Sequence, residues 1–126
     1  MQLALKYLEL KSGYADTGPA WIAKVGVSKS GRTLYFNGRA LKRAQGISGN
    51  HVDLETGEEY WVSNVKKDGA DRHWAGSGKV SIESGVVADY LAIIGAAELN
   101  RSAFDIVPDL KRTDPSQFHE VENRRL

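Results

Sequence analysis

Through residue 83 the apolar positions come in short alternating runs separated by Gly, Asp, Asn and Ser, the rhythm of strands joined by tight turns. "LALKYLELK", residues 3–11, opens the series, and the turn-rich "SGYADTGPA" separates it from "WIAKVGVSK", residues 21–29. In that second run Trp21, Ala23, Val25 and Val27 alternate with Ile22, Lys24, Gly26 and Ser28, a period of two that predicts a half-buried strand. "SKSGRT" supplies a turn into "TLYFNG", where Leu34 and Phe36 share one face and Tyr35 and Asn37 take the other, so the two runs form a hairpin. "GRALKRAQGISGN", residues 38–50, is poor in apolar residues and reads as a loop or a single helical turn exposing its basic side chains. A second hairpin joins "HVDL" to "YWVSNVKK" through "ETGE", where Gly57 stands at the position needing a positive φ. The turn "DGAD" then leads to "RHWAGSGKVSIE", with Val80 and Ile82 facing the core and Gly76 and Gly78 marking a bulge or a close backbone approach.

The period lengthens at Ser84. "SGVVADYLAIIG" puts Val86 or Val87, Tyr90, Leu91 and Ile94 on one helical face, with Ser84 as N-cap and Gly95 as the stop. Beyond Gly95 apolar residues thin out, and residues 96–126 read as a C-terminal arm appended to a barrel domain of residues 1–95. Within the arm, "DPSQFHEV" places Asp114 at an N-cap, Pro115 at the first helical position and Gln117 at the capping-box position, predicting a short helix near residues 115–123. The fold class is therefore mainly β with some helix: a small antiparallel barrel of five or six strands, SH3-like before OB-like, closed by one helix near residues 85–95.

Composition narrows the class further. A chain of 126 residues with 41% hydrophobic side chains can bury a real core without staples, and it has no cysteine. That removes disulfides, zinc–thiolate sites and cysteine nucleophiles, and it fits a reducing compartment. "MQLALKYLEL" has neither the basic flank nor the apolar run of a signal peptide, so the expectation is a soluble cytoplasmic protein with no membrane partner. The net charge of +1 hides blocks of opposite sign. Residues 18–52 contain no acid but hold Lys24, Lys29, Arg32, Arg39, Lys42 and Arg43; Asp53, Glu55, Glu58 and Glu59 follow directly.

Several candidate chemistries can be weighed against that outline. "GSGK" fails as a phosphate loop, because His73 stands where the first glycine is needed and Val80 where a Ser or Thr should follow Lys79. No G-x-S-x-G occurs, so no nucleophilic triad is expected. His51-x-Asp53 and Asp71-x-His73 each put an imidazole and a carboxylate on one face of an extended segment. If the pairs met, they would suit zinc, manganese or iron and a metal-dependent hydrolase. The bland reading is that both pairs flank turns, where Asp serves local backbone N–H groups. No resident cofactor is expected.

Binding is favoured over catalysis. Arg39, Lys42, Arg43, Arg72, His73 and Trp74 are the expected binding residues. With the other basic residues of 24–43, and with Tyr35 and Trp74 for stacking, they would form a nucleic-acid surface. Against this, a pI of about 8.0 is modest for a dedicated nucleic-acid binder. A protein partner or self-association comes first. Phe104, Ile106, Val107, Leu110 and Phe118 supply anchors on the arm, and the function is then a non-catalytic binding or regulatory module.

"ELKSGYADTGPAWIAKV", "SKSGRTLYFNGRALKR" and "GISGNHVDLETGEEYWVSNVKKDGADRHWAGSGK" resemble a family of short bacterial proteins that often carry the name 1-deoxy-D-xylulose-5-phosphate synthase. The similarity spans about residues 8–95. The enzyme properly bearing that name is a much longer thiamine-diphosphate protein with a GDG motif and a downstream Asn for its cofactor. No GDG occurs here, so the resemblance implies no catalytic residue.

Overall fold

Alternation closes the sheet on itself. In the computed structural model, which describes residues 2–11, 18–68 and 78–118, six strands run in chain order around a barrel: β1 (Gln2–Leu10), β2 (Ala20–Val27), β3 (Thr33–Phe36), β4 (Arg39–Arg43), β5 (His51–Asp53) and β6 (Glu59–Asn64). Each is antiparallel to the next, and β6 returns to β1 with Leu8 opposite Val62, so no barrel edge is left open. Leu8, Ala23, Val25, Leu34, Phe36, Leu41, Tyr60 and Val62 fill the lumen. These residues lie two apart on their strands, as inward positions must.

Two outer strands extend the sheet. β7 (Val80–Glu83) pairs parallel with the N-terminal half of β2, placing Trp21 opposite Ser81 and Ile22 opposite Ile82, and β8 (Phe104–Val107) pairs parallel with β7. The helix expected near residues 85–95 is a short 3-10 turn followed by α1 (Val87–Ile94), and it packs on the outer face of this extension. Tyr7, Ile22, Ile82, Val86, Tyr90 and Phe104 form a second core there, with the Tyr90 and Phe104 rings 5.3 Å apart. No helix among the described residues is long and apolar enough to cross a membrane.

Three local expectations need correction. Residues 39–43 are not loop or helical turn but strand β4, paired on both edges with β3 and β5. Pairing on two sides satisfies its backbone whatever its side chains are. The turn that starts it is Asn37–Gly38, with φ of 49° and 77°, the left-handed pair of a tight hairpin. β2 is not half-buried either: Ile22 and Ala20 are covered by the second core while Ala23 and Val25 face the lumen. The start of the helix is capped from a distance. Ser84 is the first residue of the 3-10 turn rather than its N-cap, and Asp109 accepts from its hydroxyl at 3.3 Å and from the Gly85 N–H at 2.8 Å. Gly95, at φ 70°, ends α1 as expected, donating its N–H to the Leu91 carbonyl.

The segment after Gly95 folds back over its described residues, 96–118. Beyond β8, Leu110 packs against the lumen cluster, and a 3-10 turn at Pro115–Phe118 lays Phe118 over Tyr35, Ala40 and Leu54 as a third core. Asp114 caps that turn, accepting from the Ser116 N–H at 3.0 Å. Glu83, fully buried, ties the parts together. It accepts from the backbone N–H groups of Lys24 and Leu110, both at 2.7 Å, and from the Arg112 guanidinium at 3.2 Å. Glu9 is likewise buried and paired, with Lys11 at 2.7 Å and the Tyr7 hydroxyl donating to it.

Candidate functional site

Inward positions become partly polar at one end of the barrel. There every strand contributes to a cavity of about 470 Å³. β1 sends Gln2, Ala4 and Lys6, β2 sends Val27, and β3 sends Leu34. Arg43 comes from β4, His51 from β5, and Val62 and Asn64 from β6. The register explains the grouping, since Lys6 stands opposite Asn64 and Arg43 opposite His51, and directly paired residues project to one side. Among the described residues, the lining includes Lys6, Arg43 and His51 but no Asp or Glu.

The two arginines of β4 show how unlike the barrel ends are. Arg39 and Arg43 lie four apart on one strand and therefore share its inner face. Arg39 is paired with the fully buried Asp53 at 2.8 Å, and that hydrogen bond raises its pKa above the ordinary guanidinium value. Arg43 is exposed and has no carboxylate partner among the described residues, and neither has Lys6, which donates to the Asn64 side-chain oxygen. One end is neutralised. The other carries open positive charge.

His51 sits in that open end in a defined tautomer. The Asn50 amide pairs with the backbone of Val62: its Nδ2 donates to the carbonyl at 2.8 Å and its Oδ1 accepts from the N–H at 2.8 Å. The amide orientation is thereby fixed, so His51 Nδ1, 2.8 Å from the same Oδ1, must carry a proton and donate. Burial, with Arg43 and then Lys6 adding positive potential, pushes the His51 pKa down to about 4. The ring is neutral at pH 7, and Nε2 holds a lone pair.

A second depression, about 480 Å³, adjoins the mouth and shares Arg43 and Asn50 with it. Its wall is the loop of residues 44–50 together with Trp61. Tyr60 and Val62 point into the lumen, so Trp61 between them points out and is 41% exposed; Ile47 at the loop tip is 99% exposed. Glu59 shapes the loop by accepting from the N–H groups of Ser48 at 3.0 Å and Gly49 at 2.9 Å, which lowers its pKa below the usual carboxylate range. Gly49 is required by space: a Cβ there would lie 2.5 Å from the Tyr60 carbonyl oxygen.

Of the expected binding residues, Arg43 lines the mouth, Arg39 is spent at the opposite end, and Lys42 alternates to the outer surface between Thr33 and Val52. Arg72, His73 and Trp74 lie outside the described residues, as does Asp71. Tyr35 is no stacking platform, because Phe118 covers it and leaves it 5% exposed. His51 and Asp53 do share the lumen face of β5. Asp53, however, is occupied by Arg39 and by the N–H groups of Glu55 at 2.8 Å and Thr56 at 3.3 Å. Among the described residues, no three of His, Asp and Glu come close enough together to hold a metal ion.

Lys6, Asn50 and Trp61 escaped the sequence reading, although a signal for two of them existed. Lys6 falls in phase with Leu8, and Trp61 out of phase with Tyr60 and Val62. Compared with protein-family models, curated proteins and solved structures, the chain has no significant match in any of the three.

Proposed function

We propose that this chain is a non-catalytic binding module that takes a single strand of nucleic acid at the open end of its barrel, in a cytoplasmic setting. The observation that carries the reading is the mouth itself: a cavity lined by Lys6, Arg43 and His51, with no carboxylate among the described residues of its lining. In a concave, partly desolvated site, unpaired cations favour an anionic ligand, and a phosphodiester backbone is the anion that repeats along a chain. Arg32 and Lys29 lie in the turn between β2 and β3, whose Gly31 borders the mouth, and they extend the positive rim without carboxylate partners among the described residues. Small barrels of OB and SH3-like type hold strands on comparable surfaces, which supports the same reading. A protein partner would need an acidic segment to satisfy the same charges.

The test is titration of a labelled single-stranded oligonucleotide across a salt series, with Arg43→Ala and Lys6→Ala beside the parent protein. Binding should weaken with salt, and each substitution should flatten the log–log salt dependence by roughly 0.7 for each phosphate that the side chain no longer neutralises. An Asp/Glu-rich peptide that binds as well as the oligonucleotide, with the same dependence on Arg43, would assign the mouth to protein partners. Salt-independent binding, or none at low salt, would refute the reading.

A further inference from the structure

We infer that the mouth and the adjoining groove form two consecutive nucleotide subsites, with Arg43 at the phosphate between them and Trp61 as the stacking face for the second base. This deepens the reading of the mouth as a nucleic-acid site and rests on it. The two depressions are close in size, about 470 and 480 Å³, and each matches the scale of a small-ligand pocket. Among the described residues they share Arg43 and Asn50, so the group common to both subsites meets a guanidinium, the side chain best suited to a phosphate.

The chemistry of their walls also differs in the required sense. The mouth adds Lys6 and His51 to the shared Arg43, whereas the groove adds the indole of Trp61 and the fully exposed Ile47, an apolar face for a base. Glu59, beside the groove, directs its Oε1 at the N–H groups of Ser48 and Gly49, so its charge is partly satisfied by the loop it holds. Finally, the fixed tautomer of His51 leaves Nε2 as an acceptor, able to take a hydrogen bond from an exocyclic amino group or a hydroxyl in the mouth. The occupant is therefore a dinucleotide step of a flexible single strand. A duplex keeps its bases stacked inward and offers none to the indole.

Calorimetric titration of the full chain with a mononucleotide, a dinucleotide, a single-stranded tetranucleotide and a duplex tests this. The dinucleotide should bind about ten-fold or more tightly than the mononucleotide, the size of one base–aromatic stack, and the tetranucleotide should add much less. Trp61→Ala should remove the advantage of the dinucleotide while leaving the mononucleotide within about two-fold, and Trp61→Phe should restore most of it. Arg43→Gln should weaken both ligands. If Trp61→Ala binds the dinucleotide as the parent does, the second subsite is wrong while the mouth stands. If no nucleotide or oligonucleotide binds, both readings fall. Preference for the duplex, or equal Trp61-dependent binding of an Asp/Glu-rich peptide, would also overturn the inference.

Discussion

At the scale of single residues, His51 carries the clearest electrostatic consequence. It titrates near 6.5 in an unfolded chain and near 4 in the folded one, so the unfolded state binds the extra proton throughout that interval. The stability contributed by the neutral ring is therefore complete above about pH 6.5 and is lost as the pH falls toward 4. The full effect is of order 3 kcal/mol, from about 1.4 kcal/mol per pH unit. Denaturant unfolding across this range should show a steep acid limb for the parent and a flatter one for His51→Gln. Identical limbs would mean that the ring is not buried neutral. The contrast of Arg39 with Arg43 is the other lesson at this scale. The same side chain on the same face of one strand is structural where Asp53 meets it and available where none of the described carboxylates does.

At the scale of elements, β4 shows what local composition conceals. "RALKR" has two apolar residues in five, which is too few to announce a strand, yet both are buried, on opposite faces. Leu41 enters the lumen, and Ala40 enters the small outer core with Tyr35, Leu54 and Phe118. That outer core depends on a 3-10 turn far along the chain. Phe118→Ala should lower stability by roughly 3 kcal/mol, the usual cost of emptying a buried aromatic site. Chemical denaturation checks it, and an unchanged midpoint would show that the turn does not belong to the folded body. Hairpin signals, by contrast, were legible. Gly57 has a φ of 77° in the turn read from "ETGE", whereas the turn at Asn37–Gly38 is lost when Asn37 is given to the strand and residues 38–50 to a loop.

At the scale of the whole molecule, residues 96–118 complete the fold. β8 covers β7, Phe104 packs against Tyr90, and Glu83 meets the Leu110 N–H and Arg112 from the same stretch. Removing residues 96–126 would strand Glu83 as a buried carboxylate with fewer partners and expose the second core, both costly. The truncated chain should lose cooperative unfolding, measured by coincident near- and far-ultraviolet circular dichroism melts. A truncated protein that melts as sharply as the parent would show that the segment is dispensable. The mouth belongs to this scale too, because six strands each supply a part of it and none contains the site alone.

The amino-acid pattern by itself determined the barrel class, most of the strands, the helix with its Gly95 stop and the Asp114 cap, because these depend on neighbours within a few residues. It also marked the basic stretch from Lys24 to Arg43, but it could not divide it. Which of those cations are consumed and which remain open depends on register, through Asp53 reaching Arg39 and His51 standing opposite Arg43. Register between strands distant in sequence is set by packing of the common core, and no local window contains that information. The tertiary structure alone decided that Lys6, Arg43, Asn50, His51 and Trp61 come together, and that Tyr35 does not join them.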